Sequence, residues 1–137
     1  MIVRALTFAV LALAALLLTQ YLLDRDDPEL AGKPIVDVKV PVLSSLEQQG
    51  KQLFDGNCAS CHGQNAAGQY GVAPPLVHII YEPNHHGDRS FLLAAQRGVR
   101  QHHWQFGNMP PVPDVTPDDV TKITAYVRGL QRANGIN

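Results

Sequence analysis

The run Cys58-Ala59-Ser60-Cys61-His62, followed by Gly63, constrains this chain more than any other feature of it. Two thiols one helical turn apart can each add across one of the two vinyl groups on one porphyrin edge. An imidazole at the next position then stands under the macrocycle, where it can ligate iron. These five residues read as an attachment site for one c-type haem. A thioredoxin-like redox pair would follow a strand in an alternating α/β chain, and no such alternation is present. A zinc site would need two more ligands, and with no other cysteine these would have to be distant histidines.

A low-spin electron-transfer haem needs a sixth ligand, and histidine with methionine makes a high-potential site. Apart from Met1, the one methionine is Met109, in Gly107-Asn108-Met109-Pro110-Pro111. The two prolines stiffen an extended loop, so the thioether is pre-positioned as a soft ligand. The alternative is a gap-filling core methionine, which suits a Gly/Pro-rich loop poorly.

The same stretch of chain carries helix signals. Ser44-Ser45-Leu46-Glu47 has the form of a capping box. Leu46, Gly50, Leu53, Phe54 and Asn57 follow at helical spacing, with Gly50 small enough for another helix to cross closely. Thr116-Pro117-Asp118-Asp119 reads as an N-cap, a first-turn proline and two acids suited to the helix dipole. Val120, Ile123, Val127 and Leu130 form one apolar face beyond it, with Tyr126 beside that face. Arg128 and Arg132 lie towards its end, and Asn134-Gly135 is a stop signal. A shorter helix is expected from Arg89 to Arg97, behind Asp88 and ending at Gly98. No segment alternates long enough to make a sheet, so the class is all-α.

From about Ser44 to Arg132 the chain resembles a class I cytochrome c. The matching pieces are Gly50-x-x-x-Phe54, Cys58-x-x-Cys61-His62-Gly63, Ala73-Pro74-Pro75-Leu76, Asn108-Met109-Pro110-Pro111 and Ile123-x-x-Tyr126. The resemblance implies the cytochrome c fold, three to four helices around one covalently attached haem c. Cys58 and Cys61 would carry the haem, with His62 and Met109 as axial ligands of the iron. It further implies that the Pro74 carbonyl accepts the Nδ1 proton of His62, and that Gly50 and Phe54 pack against Tyr126. The His-rich stretch between Pro75 and Met109 departs from the family pattern.

That stretch holds His78, His85-His86 and His102-His103. Adjacent residues usually point apart, so neither pair alone chelates; two pairs brought together could bind copper or zinc. Surface histidines near a haem edge, tuning charge with pH, are the simpler reading. His102 or His103 could also displace Met109 as the sixth ligand. Arg100 and Trp104, in the same loop, offer a guanidinium and an indole N–H suited to haem propionates. A solvated charge and a core aromatic are the alternatives.

Three segments are expected: a membrane anchor or uncleaved signal over residues 1–23, a Pro-containing linker over 24–43 and the haem domain over 44–137. Ala5 to Leu23 is almost wholly apolar, and nineteen residues at ~1.5 Å each make about 28 Å, close to the ~30 Å hydrocarbon core. Arg4 precedes it and Asp24-Arg25-Asp26-Asp27 follows, which sets the amino terminus in the cytoplasm and the haem domain outside it. An uncleaved single-pass helix in a bacterial inner membrane, with a periplasmic domain, is favoured over a cleaved signal peptide, because no Ala-x-Ala site follows the apolar run. Pro28, Pro34 and Pro41 keep the linker extended. Its Ile35, Val36, Val38, Val40 and Val42 suggest packing on the domain, or else a docking strand.

The net charge of −1, without a Lys/Arg block, argues against nucleic-acid partners. The expected role is a tethered one-electron carrier, not itself an enzyme, working between respiratory or photosynthetic donor and acceptor complexes. The alternative is a fixed haem c subunit of a membrane oxidase, reductase or dehydrogenase. A haem-based sensor would require an open or easily lost sixth ligand.

Overall fold

Both capping signals start the helices they predict. The structure, a computed structural model, describes the backbone of residues 2–23 and 30–137, and side-chain surroundings for residues 10–20 and 30–137. The described helices are α1 (Ile2–Leu23), α2 (Ser45–Asn57), α3 (Ala59–His62), α4 (Asp88–Arg97) and α5 (Pro117–Ala133), with single 3-10 turns at Gln64–Ala66 and Ile79–Tyr81. No strand occurs among the described residues; Gln69–Ala73 and Val99–Met109 form isolated bridges. The fold is all-α.

The chain divides into two units, Met1–Ala31 and Gly32–Asn137. In the first, residues 10–20 are exposed along α1. The Thr19 hydroxyl donates to the Ala15 carbonyl at 2.6 Å, which keeps that polar group satisfied within the helix. Among the described residues no helix is long and apolar enough to cross a membrane. Much of the span expected at residues 5–23 has side chains outside the described residues.

In the second unit, Ser44 caps α2 in a reciprocal capping box: its hydroxyl accepts from Glu47 N–H, and the Glu47 carboxylate accepts from Ser44 N–H at 2.8 Å. Thr116 does the same for α5 with Asp119. α2 and α5 then cross at Gly50. A Cβ built there would stand 2.0 Å from the Lys122 carbonyl oxygen, so only a hydrogen side chain allows this approach. Beyond the crossing, the Phe54 and Tyr126 rings tilt at 59° with centroids 5.7 Å apart. Both are fully buried, together with Ala66, Val127 and Leu130.

α4 begins one residue before the expected start. Gly87 occupies the N-cap without a side-chain bond, and Asp88 lies in the first turn, where its carboxylate accepts from Arg128 Nε at 2.8 Å.

The stretch expected as a linker contributes to this unit, which starts at Gly32 rather than at Ser44. Gly32 N–H donates to the Tyr70 carbonyl at 3.0 Å, Ile35 N–H to Ala67 at 3.1 Å, and Tyr70 N–H to Lys33 at 3.0 Å. Asn134 brackets Lys39 through two bonds of 2.9 Å. Val38 and Leu43 pack on the core.

Candidate haem site

The Cys58–His62 motif forms a single helical turn directly after α2. Gln69 Nε2 faces the carbonyl oxygens of Ala59, Ser60 and Cys61 at 3.2, 2.9 and 3.2 Å; Ala59 also accepts from Gly63 N–H, so Gln69 chiefly serves the last carbonyls of the turn. After it, Asn65 and Ala66 adopt left-handed backbone at φ 54° and 58°. Such a conformation is costly for a non-glycine residue. It turns the buried Ala66 carbonyl onto the N–H groups of Leu76 and Val77, at 2.9 and 3.3 Å. Those bonds hold the Pro74-Pro75 segment against the motif.

The consequence is a fixed imidazole. His62 Nδ1 lies 2.9 Å from the Pro74 carbonyl oxygen, which can only accept, so Nδ1 carries the proton and Nε2 keeps its lone pair. Burial lowers the His62 pKa, with the Pro74 bond opposing it. The ring is therefore neutral near pH 7, the protonation state a metal ligand needs. Cys58 is partly buried and its thiol is pushed up to about 11, by burial first and by Cys61 second. Cys61 is exposed, and both thiols are free.

Cys58 and His62 open into a cavity of about 400 Å³. Phe54 of α2, Leu93 of α4, and Val120 and Ile123 of α5 supply apolar walls, and Met109 joins from the loop before Pro110. The volume falls within the ~300–1,000 Å³ of small-molecule and cofactor pockets. Met109 is placed by its backbone: Val99 and Met109 exchange N–H···O bonds of 2.9 and 3.0 Å. Gly98 makes this possible. Its φ of +73° ends α4, and a Cβ there would meet the Met109 carbonyl at 2.4 Å.

Trp104 lines the cavity, and its Nε1–H is buried without a hydrogen-bond partner. The nearby Tyr81 hydroxyl feels the indole, but burial dominates and raises its pKa to about 12. A buried indole N–H with the Tyr81 hydroxyl near but no well-formed hydrogen bond, on a residue lining an apolar cavity, suits a ligand that brings its own acceptor oxygens, as a haem brings propionates. Arg97 and Arg100 are both exposed; Arg97, at the end of α4, lines the cavity and Arg100 does not. The residues present fit a haem.

The histidines divide. His78 caps the turn at Ile79, its Nδ1 accepting from Ile80 N–H at 3.2 Å, and meets Trp104 edge-on. His86, His102 and His103 line the cavity. His103 has a lowered pKa, through desolvation first and then through His102, His86 and His85.

Two residues important to this arrangement carry no local signal. Arg128 is 7% exposed, and its guanidinium donates to Asp88, to the carbonyls of Tyr81 and His86, and to Gln131, while stacking over Phe91 at 5.0 Å. Gln131 is fully buried and donates to Leu76 and Tyr81 carbonyls at 2.8 and 3.1 Å. Together they pin the 76–88 segment to α5. The hint in the sequence is that both stand next to the apolar stripe of α5.

Residues 47–131 match the cytochrome c family model. The cbb3-type cytochrome c oxidase subunit FixP of Rhizobium meliloti (strain 1021) is 34% identical over 94 residues, covering 67% of this chain and 30% of its own length. The cbb3-type cytochrome c oxidase subunit CcoP of Rubrivivax gelatinosus is 36% identical over 86 residues, or 61% and 26% of the two chains. The corresponding subunit of Cereibacter sphaeroides is 33% identical over 89 residues, or 64% and 28%. The chain thus spans less than a third of the length of these relatives. A family match over most of the chain, on a helical fold whose cavity is reached by a Cys-x-x-Cys-His turn, implies haem c: the chain belongs to the cytochrome c family.

Proposed function

We propose that this chain holds one covalently attached haem c and serves as a one-electron transfer domain tethered at a bacterial membrane. The observation that carries this reading is the convergence of Cys58 and His62, from one helical turn, and Met109, from a distant loop, on one apolar cavity. Cys58 and Cys61 would hold the porphyrin edge through thioethers, and His62 Nε2 and the Met109 sulfur would take the axial positions. Bound there, the iron supplies reversible one-electron chemistry, with a potential raised by methionine ligation. The protein's part is orientation and exclusion of water. Pro74 fixes the His62 ring and raises its basicity, while the apolar walls keep the local dielectric low. Trp104 and Arg97, which line the cavity, would offer donors to the propionates.

The tether is proposed from the apolar run Ala5–Leu23, flanked by Arg4 and by Asp24, Asp26 and Asp27. A helix of 22 residues is about 33 Å long at ~1.5 Å per residue, enough for a ~30 Å hydrocarbon core. The haem domain would then lie in the periplasm, with protein redox partners as donor and acceptor. A second reading, a fixed haem c subunit of a terminal oxidase, is favoured by the named roles of the relatives. It also gains because Gly32–Leu43 packs on the haem unit, leaving less chain as a spacer for shuttling.

Acid–acetone extraction is the test. The haem should stay with the polypeptide, and extractable haem would end the reading. Reporter fusion after Asn137 should give periplasmic activity in a protein that stays in the membrane fraction. Purification in mild detergent separates the roles: a lone haem protein supports the carrier, and a stoichiometric catalytic subunit the oxidase component.

A further inference from the structure

The two histidine pairs, separated by α4, meet at the rim of the cavity. His85 Nε2 lies 3.2 Å from His103 Nε2. One ligating nitrogen from each of His85, His86 and His103 lies within 4.8 Å of the others. The His86 and His103 rings stand 5.2 Å apart edge-on, and His102 leans on His103 at 4.3 Å. No carboxylate or thiolate belongs to the group among the described residues.

The His86 tautomer points the same way, while the His85–His103 contact holds one proton that a metal ion would displace. His86 Nδ1 faces the Ile80 carbonyl at 2.7 Å, so it carries the proton and leaves the Nε2 lone pair outward. A backbone carbonyl on the second ring nitrogen is how metal-ligating histidines are usually oriented. Both segments are held in advance. His85 and His86 N–H groups donate to the Glu82 carbonyl at 3.1 and 2.8 Å, and Arg128 donates to the His86 carbonyl. On the other side, Gln101 and Asn108 close the loop: Gln101 N–H donates to the Asn108 side chain at 3.0 Å and Gly107 N–H to the Gln101 side chain at 2.7 Å.

We propose that His85, His86 and His103 form a binding site for one copper ion, distinct from the iron ligands of the cavity. Imidazole nitrogen suits copper and zinc and disfavours magnesium and calcium, and the Irving–Williams order sets Cu(II) above Zn(II) at such a site. His85 and His103 are exposed, so the ion enters from solvent. Bound there, it bridges the 82–87 turn to the loop that leads into Met109. None of its ligands is His62 or Met109, and the site shares only His86 and His103 with the cavity lining.

The test is a Cu(II) titration of the full chain, expressed with its cofactor and oxidised, followed by calorimetry and electron paramagnetic resonance. One equivalent should bind saturably, with nitrogen hyperfine structure on the copper signal and with Zn(II) a weaker competitor. His85→Ala and His103→Ala should each weaken binding at least about tenfold, and with His85→Ala, which lies outside the cavity lining, the visible haem spectrum should stay that of the parent. Absence of a saturable equivalent, copper binding untouched by both substitutions, or tighter binding of Zn(II) than of Cu(II) overturns the proposal.

Discussion

Gly50→Ala isolates the contact on which the α2–α5 crossing depends. By helix propensity alone, alanine in a helix interior should stabilise by about 1 kcal/mol. The crossing opposes this. The new Cβ would stand 2.0 Å from the Lys122 carbonyl oxygen, 2.6 Å from its carbon and 3.0 Å from Tyr126 Cβ, and ordinary contact begins near 3.4 Å. Two of these atoms are backbone, which cannot rotate away, so the helices must part by on the order of 1 Å. That opens the Phe54–Tyr126 packing behind them. Overpacking costs about 1–3 kcal/mol, and a backbone clash belongs at the upper end. The net loss should be about 2 kcal/mol, or roughly 10 °C in Tm for a domain near 100 residues. Gly56→Ala, in the same helix, meets nothing within 4 Å and should stabilise by up to about 1 kcal/mol. Denaturant titration of both variants with haem attached measures the difference. Equal effects of the same sign would refute the steric account.

Met109→Ala should erase the far-red sulfur-to-iron absorption of the oxidised protein and lower its reduction potential; a parent protein that lacks the band, with a haem spin state changed by His102→Ala or His103→Ala, would remove Met109 as a ligand in favour of those histidines. Arg128→Lys keeps the charge but not the planar fork that reaches four acceptors, so it should cost about 2–3 kcal/mol in a denaturation assay, and a loss within error would make that network incidental. Glu47 has its pKa lowered below its ordinary value of 4.5, chiefly by the Ser44 N–H. The unfolded chain therefore binds this proton first: the stabilisation is complete above pH 4.5 and is lost as pH falls through the depressed folded value. Glu47→Gln should lower the denaturation midpoint at pH 7 and converge with the parent in acid; parallel pH profiles would count against the assignment.

What the sequence determined by itself was local chemistry. The Cys58–His62 turn, the Ser44–Glu47 and Thr116–Asp119 caps, and the proline-stiffened Met109 loop all act over a few residues, so spacing alone defines them. The Gly50–Phe54 and Tyr126 pairing was legible through resemblance, since no local rule joins residues so far apart. Only the tertiary structure decided the rest. It packed Gly32–Leu43 on the domain through backbone bonds to Ala67 and Tyr70, partners that composition does not reveal. It set Arg97 rather than Arg100 among the residues that line the cavity. It buried Arg128 and Gln131, where carbonyls of the 76–88 segment lack helical partners, and it brought two histidine pairs on opposite sides of α4 together. In each case the energy lies in satisfying polar groups across the fold, and a pattern read along one dimension does not contain that distance.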